Sequence, residues 1–127
     1  MMLIARILAG LVGLFFVVWG LRFYFAPEAL AAEFAITPLG VAGLSTIRGD
    51  LGGAFVAIGG LIAFGLQSNA PRWLYTAALI LGAVALGRAI GFVADGTVPS
   101  TVVPFVVELV FIAVLLAAAR LIGRQPA

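Results

Sequence analysis

Four ionisable residues stand inside long apolar runs of this chain: Arg48, Asp50, Arg88 and Glu108. An arginine presents a planar fork of N–H groups that can hold an oxyanion or a carbonyl. A carboxylate can orient that fork or carry a proton. A charge within hydrocarbon costs several kcal/mol unless paired or hydrated, so such residues concentrate at binding sites, proton relays and counter-ion pairs. The four sum to zero, as a self-compensating cluster requires. Histidine and cysteine are both absent, which removes thiolate chemistry, disulfides, iron–sulfur ligation and the usual zinc and haem ligands. No metal site and no cofactor is expected.

The spacing of these charges places them at one level. Arg48 lies nine residues beyond Leu39, Arg88 seven before Asp95, and Glu108 eight beyond Ser100. On helices rising 1.5 Å per residue, each is roughly 10–14 Å from the same end of its span. A shared ligand site is therefore expected from Arg48, Asp50, Arg88 and Glu108, with Asp95 and Arg22 near its mouth. Arg48 and Asp50 are two apart, about 200° around a helix, and must point in different directions. Between them Gly49 opens the row Gly49, Gly53, Ala57. Gly87 and Gly91 repeat the small-xxx-small pattern, so the second and third helices are expected to pack closely there.

The elements that carry these residues are set by composition. Of 127 residues 65% are apolar and 9% charged, and the mean hydropathy is +1.29. A soluble domain carries about a quarter of its residues charged, so most of this surface must face lipid. About 20 apolar residues cross the hydrocarbon core, and four runs are long enough: residues 4–24, 39–66, 72–94 and 100–121. Pro27 and Pro38 bracket the first loop. Gln67-Ser68-Asn69-Ala70-Pro71 makes the second and Asp95-Gly96-Thr97-Val98-Pro99 the third. Loops this short join antiparallel neighbours. Pro27 to Phe34 reads as a short interfacial helix. A cleaved signal peptide is the rival reading of the first run, which is taken here as a transmembrane helix. The expected fold is an all-α, four-helix antiparallel transmembrane bundle forming one integral membrane domain.

Arginine placement orients it. Arg6, Arg72, Arg120 and Arg124 fall on one side without an acid, while Glu28, Glu33 and Asp95 fall on the other, with Arg22 at that boundary. The positive-inside rule puts both termini and the second loop in the cytoplasm. Trp73 and Tyr75 then mark the inner interface, Trp19 and Tyr24 the outer. The seven arginines are scattered singly, which argues against a nucleic-acid surface. The glycine pairs Gly52-Gly53 and Gly59-Gly60 lack the strand–turn–helix setting and lysine of a nucleotide loop and read as packing glycines.

Ser45-Thr46-Ile47-Arg48-Gly49-Asp50-Leu51-Gly52-Gly53, then Gly87-Arg88, Asp95-Gly96 and Glu108, resembles the pattern of the domain-of-unknown-function 4345 family. The resemblance covers nearly the whole chain. It implies a small bacterial four-helix membrane protein similar in layout to the DoxX-like group, and it implies no reaction. Leu51 stands where that pattern has an aromatic residue.

These residues support four functional readings. The leading one is a protein of the bacterial inner membrane that binds a lipophilic or amphiphilic molecule, such as a lipid, quinone or terpenoid, in a charged cavity of the outer leaflet. In a second, Glu108 or Asp50 is the proton-transfer group of an isomerase- or cyclase-type enzyme, a role that neighbouring arginines oppose. A third is a small proton-coupled transporter relying on Glu108. No charged stepping-stone lies between the cluster and the cytoplasmic surface, so a site open to one side only is expected, closed by side chains from about Phe55 to Phe64. The fourth is a set of ion pairs that do no more than hold the bundle together. The glycine faces also suit a homodimer or a place in a larger membrane complex.

Overall fold

The computed structural model describes residues 1–124, and among these it is helical with no strand. Helix α1 is Met2–Phe25 and α2 the short Pro27–Glu33. Helix α3, Gly40–Thr46, runs through a π-helical turn at Ile47–Gly52 into α4, Gly53–Gln67. Helix α5 is Pro71–Ala94 and α6 is Pro99–Gly123. Four stretches are long and apolar enough to cross a membrane: α1, the continuous run Gly40–Gln67, α5 and α6. Each lies within two residues of the expected run at both ends, and α2 falls where an interfacial helix is expected. This is a small multi-pass membrane protein.

The helix ends obey local chemistry. Proline occupies the first position of α2, α5 and α6, where its missing N–H removes no intrahelical bond. Helix α2 closes with Ala35 in the left-handed region (φ 56°), letting the Ile36 N–H reach Ala31 O at 2.8 Å and the Ala35 N–H reach Ala32 O at 3.1 Å. Asn69 (φ 51°) does the same beyond α4, where the Ala70 N–H donates to Gly65 O at 3.1 Å.

The chain forms two compact units, one of Met1–Gly10 with the chain from Leu61 onward, the other Leu11–Gly60. In the first, α5 and α6 form a hairpin whose buried rows are Leu74, Ala78, Leu81 and Ala85 against Leu115, Ala119 and Ile122. Arg6 donates from Nη1 to Asn69 Oδ1 and from Nη2 to Leu66 O, both at 2.6 Å, satisfying a terminal carbonyl of α4. A Cβ on Gly123 would lie 3.6 Å from Pro71 Cγ. The first turns of α1, the α4–α5 loop and the end of α6 therefore share one end of this unit, and Arg6, Arg72, Arg120 and Arg124 gather there.

In the second unit α1 crosses α4 antiparallel through interlocking small rows, Gly13, Val17, Gly20 against Gly52, Val56, Gly59. A Cβ on Gly20 would stand 2.6 Å from Val56 Cγ2 and 2.8 Å from Val56 N; one on Gly59 would stand 2.5 Å from Val17 Cγ2 and 2.9 Å from Gly13 O. The glycine row expected from sequence is not the one used for close approach. Cβ atoms on Gly49 or Gly87 would meet nothing within 4 Å. The π turn, whose i→i+5 bonding widens the helix, sets Gly49 off the Gly52, Val56, Gly59 row that regular α-helical spacing would have it share. Above this crossing, Phe16, Phe23, Phe34 and Phe55 pack edge to face or tilted at 5.2–6.1 Å between centroids. Leu30 and Ala31 of α2 are fully buried with Phe23 and Ile47, and Leu51 packs beside them.

Candidate functional site

In the α5–α6 hairpin the charged residues continue the buried rows. Arg88 succeeds Leu81 and Ala85 at helical spacing, and Glu108 precedes Leu115 by two turns, so both side chains enter the seam between the helices. They meet there: Arg88 Nε donates to Glu108 Oε1 at 2.8 Å. One turn nearer the α5–α6 loop, Phe92 and Phe105 pack edge to face at 5.1 Å. In the seam Glu108 is 13% exposed and Arg88 31%. The contact is single-pointed. Among the described residues the terminal nitrogens of Arg88 make no further bond, and Glu108 Oε2 is buried without a partner.

Arg48 sits differently. It lies in the π turn of the other unit, is exposed, and makes no ion pair or hydrogen bond to the described residues. Val41, Leu44, Ser45 and Arg48 fall at helical spacing along one face running from α3 into the π turn. With Gly49 and Tyr24 they line an open hollow of about 420 Å³. Tyr24 reaches it from the end of α1 because Gly52 and Gly53 leave a flat seat for its ring. A Cβ on Gly52 would stand 2.8 Å from Tyr24 Cδ1, and one on Gly53 would stand 3.9 Å from the phenol oxygen. Single-turn π bulges inside helices occur frequently at functional sites.

The remaining expected site residues join neither the Arg88–Glu108 ion pair nor the lining of the hollow. Asp50 shares the π turn with Arg48 but projects from the opposite side, exposed and without an ion pair among the described residues. Arg22 is committed elsewhere: its Nη2 donates to Glu33 Oε1 at 2.7 Å, and its guanidinium lies 4.5 Å from the Trp19 ring centroid. That contact ties α2 to α1. Asp95 is the exposed C-cap of α5. The structure thus pairs Arg88 with Glu108 directly, while Arg48 and Asp50, in the other unit, have no ion-pair partner among the described residues. Among the described residues no group of three or more histidines, cysteines or carboxylates could hold a metal ion.

Two lining residues escape a reading of the sequence. Ser45 carries a signal, standing three residues before Arg48 and hence on its face. Tyr24 carries none, because its place depends on the seat that two glycines of another helix provide.

A model of one protein family, described as a domain of unknown function (DUF4345), matches residues 4–119. The chain belongs to the DUF4345 family. No curated protein and no solved structure gives a match. In this DUF4345 protein the match takes in Tyr24, the π turn, Arg88 and Glu108, so both charged constellations lie within the family's own extent.

Proposed function

We propose that this protein binds an amphiphilic ligand, drawn from the membrane, in the hollow at the π turn. The observation that carries the reading is Arg48: a guanidinium with no acceptor among the described residues, set among Val41, Leu44 and the Tyr24 ring. Apolar walls with a few placed polar groups, and a volume of several hundred Å³, are the ordinary make-up of a small-molecule site. The ligand class is a lipid, a quinone or a terpenoid, its tail lying along the apolar walls and its head group on the guanidinium. The membrane is a bacterial inner membrane, with both termini and the α4–α5 loop in the cytoplasm. Gathering Arg6, Arg72, Arg120 and Arg124 at one end supports that orientation.

The Arg88–Glu108 pair is a fastener within the hydrocarbon and not the binding site. Its support is the placement of both residues in the buried seam, with Glu108 only 13% exposed. The same geometry disfavours the acid/base enzyme and the proton-coupled transporter, because Glu108 already holds a counter-ion at 2.8 Å. Native mass spectrometry of the purified protein tests the reading. Wild type and Arg88→Gln should retain the same co-purified small molecule, and Arg48→Gln should lose it. Identical retention by Arg48→Gln and wild type would sink the proposal.

A further inference from the structure

We infer that the head group held in the Arg48 hollow is an oxyanion, a phosphate or a carboxylate on a lipophilic tail, and not a neutral carbonyl or hydroxyl. The inference rests on the reading of this hollow as an amphiphile site and narrows its ligand. Three side chains supply polar groups to the lining: the Arg48 guanidinium, the Ser45 hydroxyl and the Tyr24 phenol. Each can donate a hydrogen bond, and no carboxylate is among them. The hollow therefore presents a net positive charge flanked by donors.

Comparison with the other arginines sharpens the point. Arg6 is bonded to Asn69 and Leu66, Arg22 to Glu33, and Arg88 to Glu108. Arg72, Arg120 and Arg124 stand in the first or last turn of their helices or just beyond. Arg48 is eight residues inside the continuous run Gly40–Gln67, roughly 12 Å from its start, and has no acceptor among the described residues. Asp50, the nearest acid in sequence, projects from the other side of the helix. A guanidinium at that depth needs a partner that cancels its charge. A quinone carbonyl or a terpenoid hydroxyl accepts a hydrogen bond but leaves the charge uncompensated. An oxyanion does both, and two of its oxygens match the spacing of the guanidinium fork. The Ser45 hydroxyl and the Tyr24 phenol can then donate to the remaining oxygens.

The test uses the full chain, exchanged into a neutral detergent and offered four probes at equal concentration. These are phosphatidylglycerol, oleate, and the neutral counterparts diacylglycerol and methyl oleate, with retention counted by native mass spectrometry. A charge-assisted contact should favour the anionic probes about tenfold or more. The preference should vanish in Arg48→Gln and survive in Arg72→Gln, an exposed arginine at a helix end. In Ser45→Ala and Tyr24→Phe, which keep the charge and remove one donor each, it should fall several-fold. Retention of phosphatidylglycerol alone identifies the source as a lipid phosphate, and retention of oleate alone a fatty carboxylate; either supports the inference. Equal retention of neutral and anionic probes, lost in Arg48→Gln, overturns the oxyanion while leaving an amphiphile site. No retention of any probe overturns both. Anionic preference undiminished in Arg48→Gln means bulk annular contact and also overturns it.

Discussion

Replacing Gly59 with alanine should weaken this protein, whereas the same change at its neighbour Gly60 should not. At Gly59 a methyl group would be placed 2.5 Å from Val17 Cγ2, 2.9 Å from Gly13 O and 3.0 Å from Val17 N. The valine methyl can turn away, but two of the three neighbours are backbone atoms of α1. Relief requires the helices to separate. A Cβ at Gly60 meets nothing within 4 Å. Both substitutions gain the same helix propensity, about 0.5–1 kcal/mol, so the difference between them isolates the steric term. Overpacking of a close contact costs about 1–3 kcal/mol and more where backbone must move. For a chain of this length the two variants should separate by roughly 4–12 °C in midpoint, Gly60→Ala at or above wild type and Gly59→Ala below it. Thermal unfolding in detergent monitored by tryptophan fluorescence suffices, since Trp19 belongs to the same unit as Gly59. Coincident melting of the two variants would refute the antiparallel glycine crossing of α1 on α4.

Two other consequences come from the geometry of the α5–α6 seam and of the helix ends. Truncating Glu108 to alanine strands the Arg88 guanidinium in the seam and should cost about 2–3 kcal/mol, less than for a fully buried pair because Arg88 is 31% exposed. The double variant Arg88→Met/Glu108→Leu should recover most of that loss, and a double variant as unstable as Glu108→Ala would show that the pair is more than a fastener. For the orientation, single cysteines at Ser68 and Thr97 can be probed with a membrane-impermeant thiol reagent, since the chain has no cysteine of its own. Thr97 should react from the periplasmic side and Ser68 should not; labelling of Ser68 from that side reverses the topology.

Much of this protein is written locally. In hydrocarbon every backbone group must find its partner within its own helix, so span length, apolar composition and proline or glycine punctuation delimit the helices without reference to neighbours. That is why all four long helices lie within two residues of the runs read from the sequence, and why α2 begins at Pro27. The gathering of four arginines at one end is legible for the same reason, since it depends only on which loop each residue borders. So is the meeting of Arg88 with Glu108, two opposite charges seven and nine residues from the loop that joins their helices. Rotational phase is another matter. The π turn at Ile47–Gly52 arises from no residue pattern visible in the sequence, yet it changes which glycines stack. The close contact therefore forms on Gly52, Val56 and Gly59, and Gly49 faces open space. Tyr24 joins the hollow because a glycine pair on a different helix accepts its ring. Arg48 gains no acceptor from Asp50, which leaves the same turn on the opposite side. Helices are set by each segment's own need to satisfy its backbone; partners are set by how several helices pack at once, and only the tertiary structure contains that solution.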